Sequence, residues 1–154
     1  MKQFIKNILI LLKLWPKPTP VKRHDLQKIS IQKDLYLQVY WKVLKIGKGP
    51  AVILKWKTIE LMKFDCFGHK DGHYHIAPNY DFRIYFTEQT AKAQIKRTSE
   101  ELLINAQRYL KLHPATEINR IEIDQNALKD AVKKAEQSML YYLDNIKELH
   151  NNPS

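Results

Sequence analysis

The run from Leu35 to Val43 constrains the fold more than any other part of the chain. Leu35, Leu37, Val39, Trp41 and Val43 alternate with Tyr36, Gln38, Tyr40 and Lys42. Successive side chains on a strand point to opposite faces, so the pattern predicts a strand with one apolar face on a core. Val52, Leu54 and Trp56 repeat the phase after Gly47-Lys48-Gly49-Pro50, which reads as a turn. Lys57-Thr58 leads into a strand from Ile59 to Phe67. His73 to Ala77 and Phe82 to Phe86 supply further strands, the latter with Phe82, Ile84 and Phe86 in phase. Strands in succession with short connections pair as an antiparallel meander.

After Phe86 the apolar period changes. Thr87 reads as a helix cap before Glu88, and Thr98 with Glu101 forms a capping-box pattern in the same region. Ile95, Leu102, Leu103, Ala106, Tyr109 and Leu110 make an apolar face that Pro114 ends. Glu117 to Ile123 predicts a short strand returning to the sheet edge, and Asp124 caps a last helix. That helix turns Leu128, Ala131, Ala135, Met139, Tyr142, Leu143 and Ile146 inward. Strands first and helices after predict an α+β fold, an antiparallel meander of about five strands with two long helices on it.

Residues 1–15 form a separate pattern. Phe4, Ile5, Ile8, Leu9, Leu11, Leu12 and Trp15 recur at helical spacing with lysines largely opposite, which predicts an amphipathic helix. It is too short and too interrupted by lysine to span a bilayer, and it lacks the cleavage site of a secretory signal. Pro16, Pro18 and Pro20 then make a stiff connector. The expected organisation is an arm over residues 1–20 and a single α+β domain over 21–150. The arm suits peripheral contact with a membrane surface, a partner protein or the chain's own sheet.

Lys and Arg number 26 against 16 Asp and Glu, a net charge of +10. That excess points to polyanionic partners, with RNA among them. One cysteine, Cys66, cannot form an intramolecular disulfide, which fits a reducing, cytoplasmic setting.

The chemistry-bearing residues gather in Phe64-Asp65-Cys66-Phe67-Gly68-His69-Lys70-Asp71-Gly72-His73-Tyr74-His75. His73 and His75 are two apart on a strand, so their imidazoles share a face. A hairpin would return Asp65 beside them. Two imidazoles and a carboxylate can bind a divalent metal, or can act as general acid and base with the carboxylate orienting a ring. His69 and Lys70 in the loop, and Arg83 on the next strand, are candidates for contacting a substrate phosphate. Cys66 alternates with Asp65 and is expected in the core. Tyr36 and Tyr40 read as half-buried sheet residues, with an exposed aromatic platform for bases as the alternative. On an open sheet face the histidines would contribute little packing.

The order Phe64-Asp65, polar Gly/His loop, His73-Tyr74-His75 after a basic meander resembles the TumE-type toxins of bacterial and archaeal toxin–antitoxin pairs. The resemblance covers Phe64, Asp65, His73 and His75, within Leu35 to Phe86. The family usually has Asn after the Asp, where this chain has Cys66. It implies a toxin-like, RNA-directed protein with a ribonuclease-like site at Asp65, His73 and His75, working without a cofactor or with one divalent metal. It also implies a cognate antitoxin-like partner. The alternative is a non-enzymatic interaction protein that binds a membrane, nucleic acid or protein through its basic surface and arm, with a structural histidine cluster.

Overall fold

The computed structural model describes residues 23–150. The expected arm over residues 1–20 lies outside them. The fold is α+β, with six antiparallel strands in sequence order, β1 to β6. They are β1 Arg23–Gln32, β2 Leu35–Leu44, β3 Gly47–Trp56, β4 Ile59–Asp65, β5 His73–Ile76 and β6 Ile84–Tyr85. Two long helices follow, α1 Ala91–Lys111 and α3 Gln125–Asn145, with short helices α2 Thr116–Asn119 and α4 Lys147–His150.

The alternation in β2 sorts its side chains as expected. Leu37 pairs with Leu54 and Val39 with Val52, and Val52 pairs in turn with Phe64. These side chains are buried in one core with Leu128, Ala131, Ala135, Met139 and Tyr142 of α3 and Ile95, Leu102, Ala106 and Leu110 of α1. The helices therefore cover one face of the sheet, and Leu103 of α1 is exposed. The opposite face has a small core of its own, Tyr40, Ala51 and Ile53. Tyr40 is fully buried there rather than half-buried.

Several local expectations are corrected. The meander has six strands because Arg23–Gln32 pairs with β2. Irregularities between His24 and Gln27 and between Ser30 and Gln32 interrupt its register with β2; Leu26 is exposed and Ile31 is buried. Gly47 to Pro50 lies within β3, the chain reversing at Lys45–Ile46. Gly49 serves a close approach instead, since a Cβ there would stand 2.4 Å from the Cys66 carbonyl oxygen.

Thr90, not Thr87, caps α1, accepting from the Ala93 N–H at 3.1 Å. Thr98 and Glu101 lie inside that helix, where Thr98 Oγ1 donates to the Gln94 carbonyl. Glu117 to Ile123 is not a strand. Thr116–Asn119 is helical, and the Gln107 side chain bonds the Ile121 carbonyl and the Ile123 N–H that a sheet edge would have used. Asp124 caps α3 as expected, accepting from Ala127 N–H. Only Ile84 and Tyr85 of the expected Phe82–Phe86 strand pair with β5.

Leu54 is fully buried at the centre of the sheet. Leu54→Ala should lower unfolding free energy by about 2–5 kcal/mol, read as a shifted urea midpoint at unchanged slope. Ile104→Ala, at a side chain 73% exposed, should stay within about 0.5 kcal/mol of the parent.

Candidate metal centre

The site lies where β4 ends and β5 begins, on the face turned away from the helices. Asp65 pairs directly with His73, Phe64 with Tyr74, and Lys63 with His75. Phe64 and Tyr74 stack on the core side, ring centroids 5.2 Å apart. Asp65, His73 and His75 therefore project together on the other side, as the two-residue period requires. One ligand-type atom from each lies within 4.8 Å of the other two. Atoms sharing a tetrahedral ion with bonds of about 2.0–2.1 Å stand roughly 3.3 Å apart, so modest rotation of the side chains closes the set.

This face is not solvated, contrary to the open sheet surface expected for the histidines. Asp65 is 1% exposed and His73 3%, and His75 is half-buried. A charge so placed needs a partner. Lys42 supplies it, with Nζ 2.7 Å from Asp65 Oδ1. Among the described residues Oδ1 has no aligned hydrogen bond, so the contact is an ion pair first. Lys42 pairs with Gly49 and Asp65 with Ala51, so two small residues of β3 let the lysine stem cross to the carboxylate. Burial pulls the Lys42 ammonium down, and the Asp65 charge opposes that.

Both imidazoles are oriented by main-chain carbonyls. His73 Nδ1 is 2.8 Å from the Asp71 carbonyl oxygen, and His75 Nδ1 is 2.7 Å from that of Tyr80. A carbonyl can only accept, so each Nδ1 carries the hydrogen and each Nε2 of the neutral ring is a free lone pair. His73 Nε2 stands 3.3 Å from Asp65 Oδ2. Burial pushes both histidines below their ordinary value, against the raising effect of the carbonyl bonds and of Asp65. At neutral pH two acceptors thus face each other, an arrangement that a shared cation relieves.

The surroundings are aromatic and short of partners. Tyr80 stacks on His75 with centroids 5.6 Å apart, and Phe67 meets His73 edge-on at 5.9 Å. Among the described residues, the buried Tyr40 and Tyr80 hydroxyls have no hydrogen-bond partner. Burial and the Asp65 charge both raise these phenols, so they stay protonated donors.

The loop from Cys66 to Gly72 is held by α1. Gln94, fully buried, accepts from Gly68 N–H at 2.9 Å and donates to the carbonyls of His69 and Glu88. Gly68 has φ 77°, which favours glycine, and a short helical turn over His69–Asp71 follows. Cys66 is core as expected, its Sγ 3.3 Å from Thr98 Oγ1, and burial pushes the thiol up to about 12. It is no nucleophile.

Lys70 and Arg83 come together, lining a cavity of about 500 Å³ with Asp71 and Tyr85. Tyr85 connects it to the centre, its ring 6.0 Å from that of His73. His69 is not part of this cavity. It sits instead beside Lys48, Gly49 and Phe67. Lys42, Tyr80 and Gln94 were not legible as site residues. Lys42 alone carried a signal, a cation in phase with Gln38 and Tyr40.

Because His73 and His75 titrate lower in the fold than in the unfolded chain, the unfolded chain binds more protons below about pH 6.5. Their contribution is complete above that pH and is lost as pH falls through the folded values. Urea midpoints should therefore decline from about pH 7.5 to about pH 5.5, less steeply in His75→Phe.

No helix among the described residues is long and apolar enough to cross a membrane. No curated protein and no solved structure matches the chain. A family model does match, from Gln32 at the end of β1 to Met139 in α3, and so takes in Lys42, Asp65, His73 and His75. The chain belongs to that family, a domain of unknown function designated DUF7700.

Proposed function

We propose that Asp65, His73 and His75 hold one divalent metal ion, and that the domain uses this centre on the phosphodiesters of RNA. The observation that carries the reading is the facing pair of acceptors, His73 Nε2 and Asp65 Oδ2, 3.3 Å apart with both histidine tautomers fixed by main-chain carbonyls. Each ligand has its outer partner: Lys42 for Asp65, the Asp71 carbonyl for His73 and the Tyr80 carbonyl for His75. Such outer bonds set ring orientation and ligand basicity at metal sites. Three protein ligands leave a position open, the pattern of catalytic rather than structural zinc sites.

Burial separates this mechanism from metal-free acid–base chemistry. Asp65 and His73 are too enclosed to meet a ribose hydroxyl or a phosphate directly, whereas an ion among them can be approached from the half-buried His75. A bound metal there would lower the pKa of a water ligand to about 7 and polarise a phosphoryl oxygen. Lys70 and Arg83 would receive the non-bridging oxygens. The net charge of +10 favours a polyanion. The toxin-like resemblance fits the same substrate class.

A structural role for the cluster is the second reading, and the near-complete burial of Lys42, Asp65 and His73 favours it.

Calorimetric titration with Zn²⁺ or Mn²⁺ should show one site that His75→Ala abolishes. Metal at about 100 times Kd should raise Tm by on the order of 5–10 °C in the parent only. Cleavage of labelled RNA should fall about 10²–10⁴-fold on chelation and return with metal. Metal binding without cleavage would leave the structural reading, and absence of binding would remove the centre.

A further inference from the structure

The sheet has two edges, and the fold protects one of them. β1 is broken by its irregularities and tied to the rest of the chain. Tyr142 of α3 donates to the Asp25 carbonyl at 2.8 Å, Ser138 to Gln27 at 3.0 Å, and Gln32 bonds Glu122 and Asp124. Bulges and coverage of this kind blunt an edge. β6, at the other edge, has no side-chain tie of this kind among the described residues.

Register gives the direction of its free groups. Phe86 N–H donates to the Gly72 carbonyl at 3.2 Å, Tyr85 pairs with His73, and Ile84 pairs with Tyr74. Bonded and non-bonded pairs alternate along an antiparallel ladder. Tyr85 and His73 are therefore a non-bonded pair, and the Tyr85 N–H and C=O face the open edge.

The side chains around β6 divide by face. Phe82 and Ile84 line a cavity of about 550 Å³ with Ile76, Pro78, Tyr109 and Leu112. Arg83 and Tyr85 line the cavity of about 500 Å³ that holds Lys70 and Asp71, two cations against one carboxylate. Phe82 is 74% exposed and Tyr85 56%. Apolar surface gathered at one site on an otherwise charged chain marks an interaction surface.

We propose that β6 is a docking edge for an extended acidic segment of a partner protein, which adds a strand to the sheet. Alternate side chains of such a strand point to opposite faces. Apolar residues would enter the Phe82–Ile84 cavity and carboxylates would meet Arg83 and Lys70. A second copy of the chain fits poorly, because it would bring Arg83 and Lys70 of two molecules of charge +10 together. The first cavity, mostly apolar, offers no cation to a phosphate backbone.

The test uses the full chain and a fluorescent peptide of about eight residues alternating valine and glutamate, long enough for one strand. Polarisation should saturate. Arg83→Glu, at an exposed residue, should weaken binding by about tenfold or more, with circular dichroism unchanged. Tyr85→Pro should weaken it too, since it removes the outward N–H. N-methylating alternate peptide residues should abolish binding in one phase and spare it in the other. These results should be the same in the presence of a chelator, which separates this surface from the metal centre.

Any of several outcomes would overturn the proposal: no saturation, equal affinity for polyglutamate, indifference to methylation in both phases, or self-association in sedimentation that occupies β6. Peptide binding that Arg83→Glu leaves intact while it abolishes binding of an RNA oligonucleotide would do so as well.

Discussion

The Lys42–Asp65 ion pair sets the terms for the whole far side of the sheet. Enclosing two charges costs several kcal/mol per ion unless each has a close partner. At 2.7 Å, with both side chains almost inaccessible, each is the other's compensation. That pairing fixes the hairpin register. A slip of one residue would turn Asp65 into the apolar core and Cys66 toward Lys42. The native register instead places Cys66 against Thr98 on the helical side and Asp65 against His73 on the other. One strand end thus satisfies opposite demands on its two faces.

The helical layer reaches the site through Gln94. Its side chain takes three main-chain partners at Gly68, His69 and Glu88. A Cβ at Gly72 would come within 2.0 Å of its Oε1, so any larger residue there would have to push the Gln94 amide off these partners. The fixed loop delivers the Asp71 carbonyl to His73 Nδ1. Packing of α1 on the sheet therefore decides the tautomer of an imidazole on the sheet's opposite face.

Much of this was legible, for reasons that differ by element. The β2 alternation and the Asp65/His73/His75 face follow from the two-residue period, which register preserves across neighbours. β1 was not legible because irregularities between His24 and Gln27 and between Ser30 and Gln32 interrupt its register with β2. The loop before α2 looked like a strand because Ile118, Ile121 and Ile123 are apolar, yet Gln107 answers its main-chain groups from a distance in sequence that no local pattern records. Burial of the site was hidden for a related reason. A lysine reads as solvated until Gly49 and Ala51 are seen to open a path for it to Asp65.

Charge then distinguishes what this centre can attract. Lys42 already cancels Asp65, and both rings are neutral above about pH 6.5. A divalent ion bound under the proposed reading would therefore keep its full charge, where a site of several carboxylates would neutralise it. In an enclosed, weakly polarisable setting that charge acts over a longer range than in water. It would draw an anion toward the half-buried His75 side, with Lys70 and Arg83 in the neighbouring cavity adding to the same field. Under that reading, the lysine that makes the buried carboxylate tolerable would also bias the site toward negatively charged esters and against neutral ones.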